Sequence, residues 1–223
     1  MIVRVSDEMA AVCPEFVGAV VEAKVENTAH SDALWTEIER VAEAMRSRHT
    51  TETIKHIGSI EATRRIYKAC GKDPSRYRPA AEALLRRILQ GKPLYRIDTL
   101  VDMINLASIV TGYSIGGFDA QKFDGNTLTL GIGRKDEPYE GIGRGMINIY
   151  GLPVYRDHTG GVGTPTSDHE RTKIEIGTRH LLVLVNGYDG NRTGVMECAR
   201  YIGQLATTYA AATEVSINIF QPE

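Results

Sequence analysis

The alternation of apolar and polar positions divides the chain into two kinds of segment. Residues 2–6 and 16–25 (FVGAVVEAKV) are rich in Val with small residues between, which predicts strands. Over 31–48, Leu34, Ile38, Val41 and Met45 recur every three or four positions, the stripe of an amphipathic helix, with Ser31 and Asp32 as candidate N-caps. A shorter helix over about 59–70 precedes the turn signal GKDP. Pro79 opens a helix over 79–90, where its missing N–H costs nothing, and Gly91 closes it. Asp98 caps a further helix over 98–110, with Leu100, Val101, Ile104 and Leu106 in its apolar pattern. After Gly112 the character changes to β: 127–133 (TLTLGIG), 146–156 (MINIYGLPVYR) and 178–188 (TRHLLVLVNGY) predict strands broken by Gly-rich turns. A helix over 191–210 and a strand over 216–220 finish the chain. Helices lead, strands follow, and one late helix covers the sheet. That order predicts an α+β fold, a mixed β-sheet with helices packed on one side, in one domain spanning 1–223.

Composition narrows the class. Hydrophobic residues make up 42% and charged residues 24%, the profile of an ordinary globular protein. No apolar run reaches the ~18–20 residues that a membrane helix needs. The opening MIVRVSDEMAAV sets an acidic pair where a secretory leader wants its apolar stretch, so a cytoplasmic protein is expected. Cys13, Cys70 and Cys198 stand alone, without CxxC or Cys/His spacing, which argues for a reducing compartment and against a zinc site. His158, His169 and His180, with Asp157 and Asp168, lack the i, i+4 spacing of a helical metal site, so neither a metal nor another cofactor is expected. A formal net charge of −2 means that any nucleic-acid surface must be local. One candidate exists: Arg78, Arg86, Arg87, Lys92 and Arg96 lie along and just beyond the 79–90 helix, a possible phosphate-tracking strip, with Tyr77 and Tyr95 nearby. The sequence carries no signal for an oligomeric state.

Candidate chemistry collects at the joints. Asn105 is the one polar residue on the apolar side of the 98–110 helix, and a neutral amide can orient a ribose or a carbonyl without titrating. Ser167, Asp168, Arg171 and Thr172 put four polar groups into six residues beside a Gly-rich turn, with Glu175 one strand step further on. A carboxylate beside an arginine is able to orient water or an amine. Gly112–Gly116 spells GxSxG, but a nucleophile elbow needs a strand before its serine and a helix after it. Here a helix precedes and a turn follows, so Ser114 is expected in a β-turn and a serine esterase is the minor alternative. GIGRG (141–145) lacks the spacing of a phosphate loop and reads as a hairpin.

EALLRR (Glu82–Arg87), the polar crossing GKPLYRI, Val101-Asp102 with Asn105, and Gly116-Gly117-Phe118-Asp119 follow one another in an order and spacing that resembles one family. This is the B3/B4 domain, the module that carries the editing site in the β subunit of bacterial phenylalanyl-tRNA synthetase and also occurs in short stand-alone proteins. Residues 157–161 and SDHERTKIEIGTR (167–179) resemble its Gly-rich pocket wall and Thr-bearing strand. The resemblance spans about 75–190, with 1–74 as an N-terminal extension and 191–223 as a C-terminal helix and strand. It implies a B3/B4-like fold and tRNA or aminoacyl-tRNA as partner, rather than DNA or a membrane. It also implies hydrolysis of a mischarged aminoacyl ester in trans, without cofactor or covalent nucleophile.

The resemblance implies roles for single residues as well. Asn105 matches a pocket asparagine that would hold the acceptor ribose or carbonyl, and the backbone at Gly160 and Gly161 would face the aminoacyl group. Gly116, Gly117, Asp119, Ser167 and Glu175 would line the substrate site. Asp168 with Arg171 would orient the attacking water or the α-amino group, and Thr172 would give a hydroxyl to the wall. Two positions depart from the pattern: Gly116 stands where synthetase sequences carry a histidine, and Leu184 where they carry the glutamate that senses a tyrosine hydroxyl. Without that buried acceptor a preference for Tyr over Phe is not expected. The alternative is a non-catalytic module that binds tRNA or an amino-acid-like ligand.

Overall fold

A computed structural model describes residues 1–223. In chain order the elements are β1 (Ile2–Val5), α1 (Asp7–Val12), β2 (Val17–Lys24), α2 (Asp32–Arg48), α3 (Gly58–Ala69), α4 (Ala80–Leu89) and α5 (Thr99–Thr111). They continue with β3 (Ser114–Asp119), β4 (Thr127–Ile132), β5 (Glu140–Gly141), β6 (Gly145–Met146), β7 (Pro153–Arg156), β8 (Gly161–Gly163), β9 (His180–Gly187), α6 (Arg192–Tyr209) and β10 (Thr213–Phe220). The α+β class expected from the element order is the one observed, with its strands divided between two sheets. A central antiparallel sheet runs β10-β2-β9-β3, and a mixed sheet runs β1-β4-β7-β8 with β1 and β4 parallel. A short hairpin, β5-β6, stands apart.

The near-continuous apolar runs of β2 and β9 follow from burial on both faces. Ala19, Val21, Val183 and Val185 turn toward α2, α4, α5 and α6 and form the larger core with Trp35, Leu85, Leu100 and Ile202. Val20, Leu182, Leu184 and Phe118 turn the other way, against Leu128, Leu130 and Tyr155 of the second sheet and against Met9 and Ile66 of α1 and α3. The side-chain period of two thus feeds two separate cores from one strand. Residues before 75 are structural partners in this arrangement, since β2 lies between β10 and β9. No helix is long and apolar enough to cross a membrane.

The caps read from sequence are in place: Ser31 accepts from the Leu34 N–H and Asp98 from the Val101 N–H. Elsewhere the structure differs. GxSxG leads into strand β3 and not a turn, so Ser114 is 1% exposed inside a sheet, with neither the strand nor the helix of an elbow around it. Of the predicted 146–156 strand, only Met146, which ends β6, and 153–156 are in strands, because the Lys72 ammonium holds the carbonyls of Asn148 and Tyr150 in the loop between. Residues 161–163, expected in a turn, form β8. The Thr-bearing strand expected over 167–179 is a loop with one 3-10 turn at Glu170–Thr172. Helix α1 is too short for its period to be legible and stands on a Ser6 cap.

One charged group ties α3 to α4. Glu82 is 1% exposed, and its carboxylate accepts from Arg64 at 2.7 Å and Arg86 at 3.2 Å, with Arg78 at 3.6 Å. Three guanidiniums offset the cost of removing that carboxylate from water. Glu82→Ala would leave them facing a buried void, although each reaches solvent at its outer edge. A loss of about 3 kcal/mol is expected, at the low end for breaking a buried pair. Urea denaturation checks it, with a midpoint within error of wild type as the contrary result.

Candidate functional site

Helix α5, strand β3, the crossing before α5, the β5-β6 hairpin and the loop after β8 enclose a cavity of about 380 Å³. Its walls are aliphatic: Ile97, Val101, Ile104, Ile115, Ile142 and Ile174. Two polar side chains interrupt them, Asn105 from α5 and Asp168 from the loop, with Lys173 and the Gly117 backbone beside them. Asn105 is half-buried, and its amide makes no hydrogen bond within the protein, so it is free for a ligand. The size lies within the ~300–1,000 Å³ of small-molecule pockets, and an apolar lining with few polar groups is their usual character.

Asp168 owes its position to an edge strand and three glycines. β3 pairs only with β9, so its outer side carries free backbone donors. The Gly117 N–H donates to Asp168 Oδ2 at 3.1 Å, and a bridge from Gly163 to Asp168 holds the loop alongside. A Cβ on Gly116 would come within 2.8 Å of the Phe118 ring and 3.2 Å of Asp168 Oδ1. One on Gly163 would come within 2.6 Å and 3.0 Å of the same groups. A Cβ on Gly117 would reach 2.5 Å from Ile104, inside the cavity wall. The glycines therefore make the room that the carboxyl fills, and a histidine at 116 has no space. Asp168 is half-buried and borders the cavity, and its carboxyl has no cationic partner. Burial raises its pKa to about 8 against the single opposing hydrogen bond from Gly117. A carboxyl in that range exchanges its proton near neutral pH, as a general base must.

Asn105 also opens on a second depression, a groove of about 440 Å³ along α4. Arg78, Arg86, Arg87, Lys92 and Arg144 line it together with Tyr95, and no carboxylate does. Arg86 and Arg78 are held from beneath by Glu82, whereas Arg87, Lys92 and Arg144 make no ion pair. Four of the five cations expected to form a strip are thus brought together. The fifth, Arg96, is not: its guanidinium lies 4.5 Å from the Trp35 ring and 3.5 Å from Glu39, outside the groove.

Other expected site residues are placed elsewhere. Arg171 does not pair with Asp168. It grips Asp157 through two nitrogens at 2.8 and 2.9 Å, because Asp157, fixed by the turn N–H groups of Thr159 and Gly160, reaches it first. That arginine and the hydrogen bonds hold the Asp157 carboxyl below the usual carboxylate range against the effect of burial. Thr172 is fully buried, its hydroxyl without a partner, and does not line the cavity. Glu175 pairs with Lys122 at the surface. Asp119 is buried as a cap, accepting from the Gln121 N–H and the Thr178 hydroxyl. Gly160 sits in the β7–β8 turn and Gly161 packs against the Tyr139 ring, so neither borders the cavity. Ser167 stands next to Asp168, its carbonyl taken by the Tyr139 hydroxyl. Leu184, the Cα partner of Gly116, points into the core between the sheets and cannot face a ligand. His169 packs edge-on against Tyr139 and accepts from the Arg171 N–H.

Sequence reasoning missed the aliphatic walls and two polar lining residues, Lys173 of the cavity and Arg144 of the groove. Ile142 and Arg144 come from GIGRG, where only the hairpin geometry and the Ile142 N–H bond to the Asp168 carbonyl show that its sides face different depressions. Asp102 was legible as a motif residue, yet its role was not. Its carboxylate turns from the cavity to accept from Trp35 Nε1 at 2.6 Å and from the Ile97 N–H at 3.1 Å.

A family model described as the B3/4 domain matches residues 62–212. A search of curated protein sequences finds no match. Among solved structures, an N-terminal fragment of the phenylalanyl-tRNA synthetase β-subunit from Pyrococcus horikoshii is similar over 97% of this chain, with 14% identity and a TM-score of 0.48. The chain covers 50% of that fragment's length. The family match runs from α3 to the last turn before β10 and contains every residue that lines the cavity and the groove; the chain belongs to the B3/4 domain family.

Proposed function

We propose that this protein binds the aminoacylated 3′ end of a tRNA and hydrolyses the ester in trans. The observation that carries the reading is Asn105, a free amide shared between an aliphatic cavity and a cationic groove. An apolar amino-acid side chain fits the cavity, phosphates fit Arg78, Arg86, Arg87, Lys92 and Arg144, and the ester joining them falls at the amide. Asp168 supplies the reacting group: ionised, it takes a proton from water, or it holds the α-amino group. The aliphatic walls favour apolar amino acids, with the modest selectivity of ~10–200-fold per methylene that such pockets give.

A second reading, a non-catalytic module for the same ligand, is favoured by one observation. With a pKa of about 8, Asp168 is ionised in only about one molecule in ten at pH 7, and no histidine lines the cavity. Deacylation of a panel of aminoacyl-tRNAs separates the two. Hydrolysis predicts release of an apolar amino acid at a rate that climbs above the uncatalysed one as pH rises through about 8. Asp168→Asn should lower it about 10²–10⁴-fold and flatten the profile, and Asn105→Ala should lower it without moving the midpoint. No release from any charged tRNA, by protein that still retards tRNA at low salt, would establish the binding module instead.

Stability gives a reading of Asp168 that needs no substrate. Its folded pKa is raised, so between the usual carboxylate range near 4 and about 8 the native state keeps a proton that the unfolded chain releases. Its contribution to stability therefore falls as pH rises through that window. Asparagine stays neutral and still offers an acceptor to the Gly117 N–H. The melting temperature of Asp168→Asn relative to wild type should rise steadily between pH 4 and 8 and level off above. A difference independent of pH would mean that the carboxyl titrates normally.

A further inference from the structure

Tyr95 is an aromatic ring held out in water. It is 67% exposed, yet it is fixed: the Arg87 guanidinium carbon lies 3.9 Å from the ring centroid, and Arg87 Nε donates to the Pro93 carbonyl. Both contacts belong to the strap between α4 and α5, which leaves the helix at Gly91 with a positive φ of 69°. The far end is anchored as firmly. Asp102 accepts from the Ile97 N–H and from Trp35 Nε1, and Arg96 covers the Trp35 ring. A strap pinned at both ends, with no regular structure between, sets an exposed tyrosine at the groove with a cation against its ring. A cation beneath an aromatic ring makes a flat, electron-accepting platform, and unpaired bases stack on such platforms whatever their sequence.

We propose that Tyr95, backed by Arg87, is the stacking platform for the unpaired 3′-terminal nucleobase of an RNA. This rests on the reading that an RNA 3′ end occupies the groove, and it adds which side chain takes the base. The surroundings favour a nucleotide over an apolar peptide: Lys92 and Arg144 are unpaired cations in the same groove, and no carboxylate lines it. Asn105, which lines the same groove, is left for the ribose and ester. Tyr95 and Arg87 thereby act as binding residues and Asp102 as a positioning residue for the strap.

The test uses acceptor-stem minihelix RNAs that end in adenosine, in an abasic ribose, or one nucleotide short, with 2-aminopurine replacing the terminal base for fluorescence. Wild-type protein should bind the adenosine-ended RNA most tightly and quench the 2-aminopurine. Tyr95→Ala should remove the quench and weaken the base-ended RNA about 5- to 150-fold, leaving the abasic RNA unchanged. Tyr95→Phe should keep both properties, and Arg87→Ala should lose affinity for base-ended and abasic RNA, more for the first. The fluorescence of Trp35, the single tryptophan, reports whether the strap is still seated, and it should be unaltered in Tyr95→Ala. Equal loss for base-ended and abasic RNA, or no quench in wild type, would overturn the platform. If the RNAs bind without regard to the terminal base, the platform fails while the 3′-end reading stands. If none binds, both fall.

Discussion

The site depends on one hydrogen bond, from the Gly117 N–H of an edge strand to a carboxyl group that has no counterion. An unpaired donor on an exposed sheet edge invites pairing with another chain, and covering it with a loop removes that hazard. Asp168 does so, and the loop that carries it must then lie flat on β3. That requires glycine at 116, 117 and 163, where any Cβ would strike Phe118, Ile104 or the carboxyl itself. The flattened loop brings Ile174 and Lys173 to one side of α5, and the Asp168 carbonyl takes the Ile142 N–H of the hairpin tip. The continuous stretch from the crossing to β3, the hairpin and the loop after β8 thus close on one aliphatic space around a single carboxyl.

The absence of a cation paired with Asp168 matters more than the carboxyl alone, Lys173 being taken by Glu170. Had Arg171 reached it, the pair would be a fixed ion pair with its proton affinity driven down, like Asp157. Arg171 is diverted to Asp157, which the β7–β8 turn holds in place through backbone donors. Two carboxylates on either side of β8 are so driven in opposite directions, Asp157 down by its arginine and hydrogen bonds, Asp168 up to about 8 by burial. Divergence of this kind sets a group able to exchange its proton near neutrality apart from one held ionised.

How far the sequence foretold this follows from the range of each signal. Helices α2, α4 and α5 were legible because their period and caps are local: Ser31 and Asp98 make the bonds their positions suggest. Asn105 was legible because a lone amide on an apolar helix face has few structural uses. Asp168 was found for a partly mistaken reason, its spacing to Arg171, since three residues along an irregular loop do not fix which way side chains turn. Gly116-Gly117 read as a turn because glycine usually marks one, whereas here the glycines make space in a strand. Gly160, Gly161, Thr172, Asp119 and Glu175 resemble site residues by order alone, and the tertiary register sends each of them elsewhere. The isoleucines of the cavity were invisible, being identical in type to those of the core.

Net charge was the weakest guide, and the fold explains why. The chain carries more acidic than basic groups, −2 overall, yet its groove presents five cations and no carboxylate. Gathering like charges costs repulsion, and Glu82 offsets part of it from below, buried and shared among Arg64, Arg78 and Arg86. Because it lies beneath the surface, it neutralises the arginines' mutual repulsion while leaving their outer N–H groups turned to the groove. Arg87 is settled differently, on a tyrosine ring and a carbonyl, which hold it without adding any negative charge. The surface field that an approaching polyanion meets is therefore set within about a Debye length, ~8 Å at physiological salt, by groups the total does not describe. A cationic groove of this kind needs no basic overall composition, only a carboxylate placed behind its arginines instead of beside them.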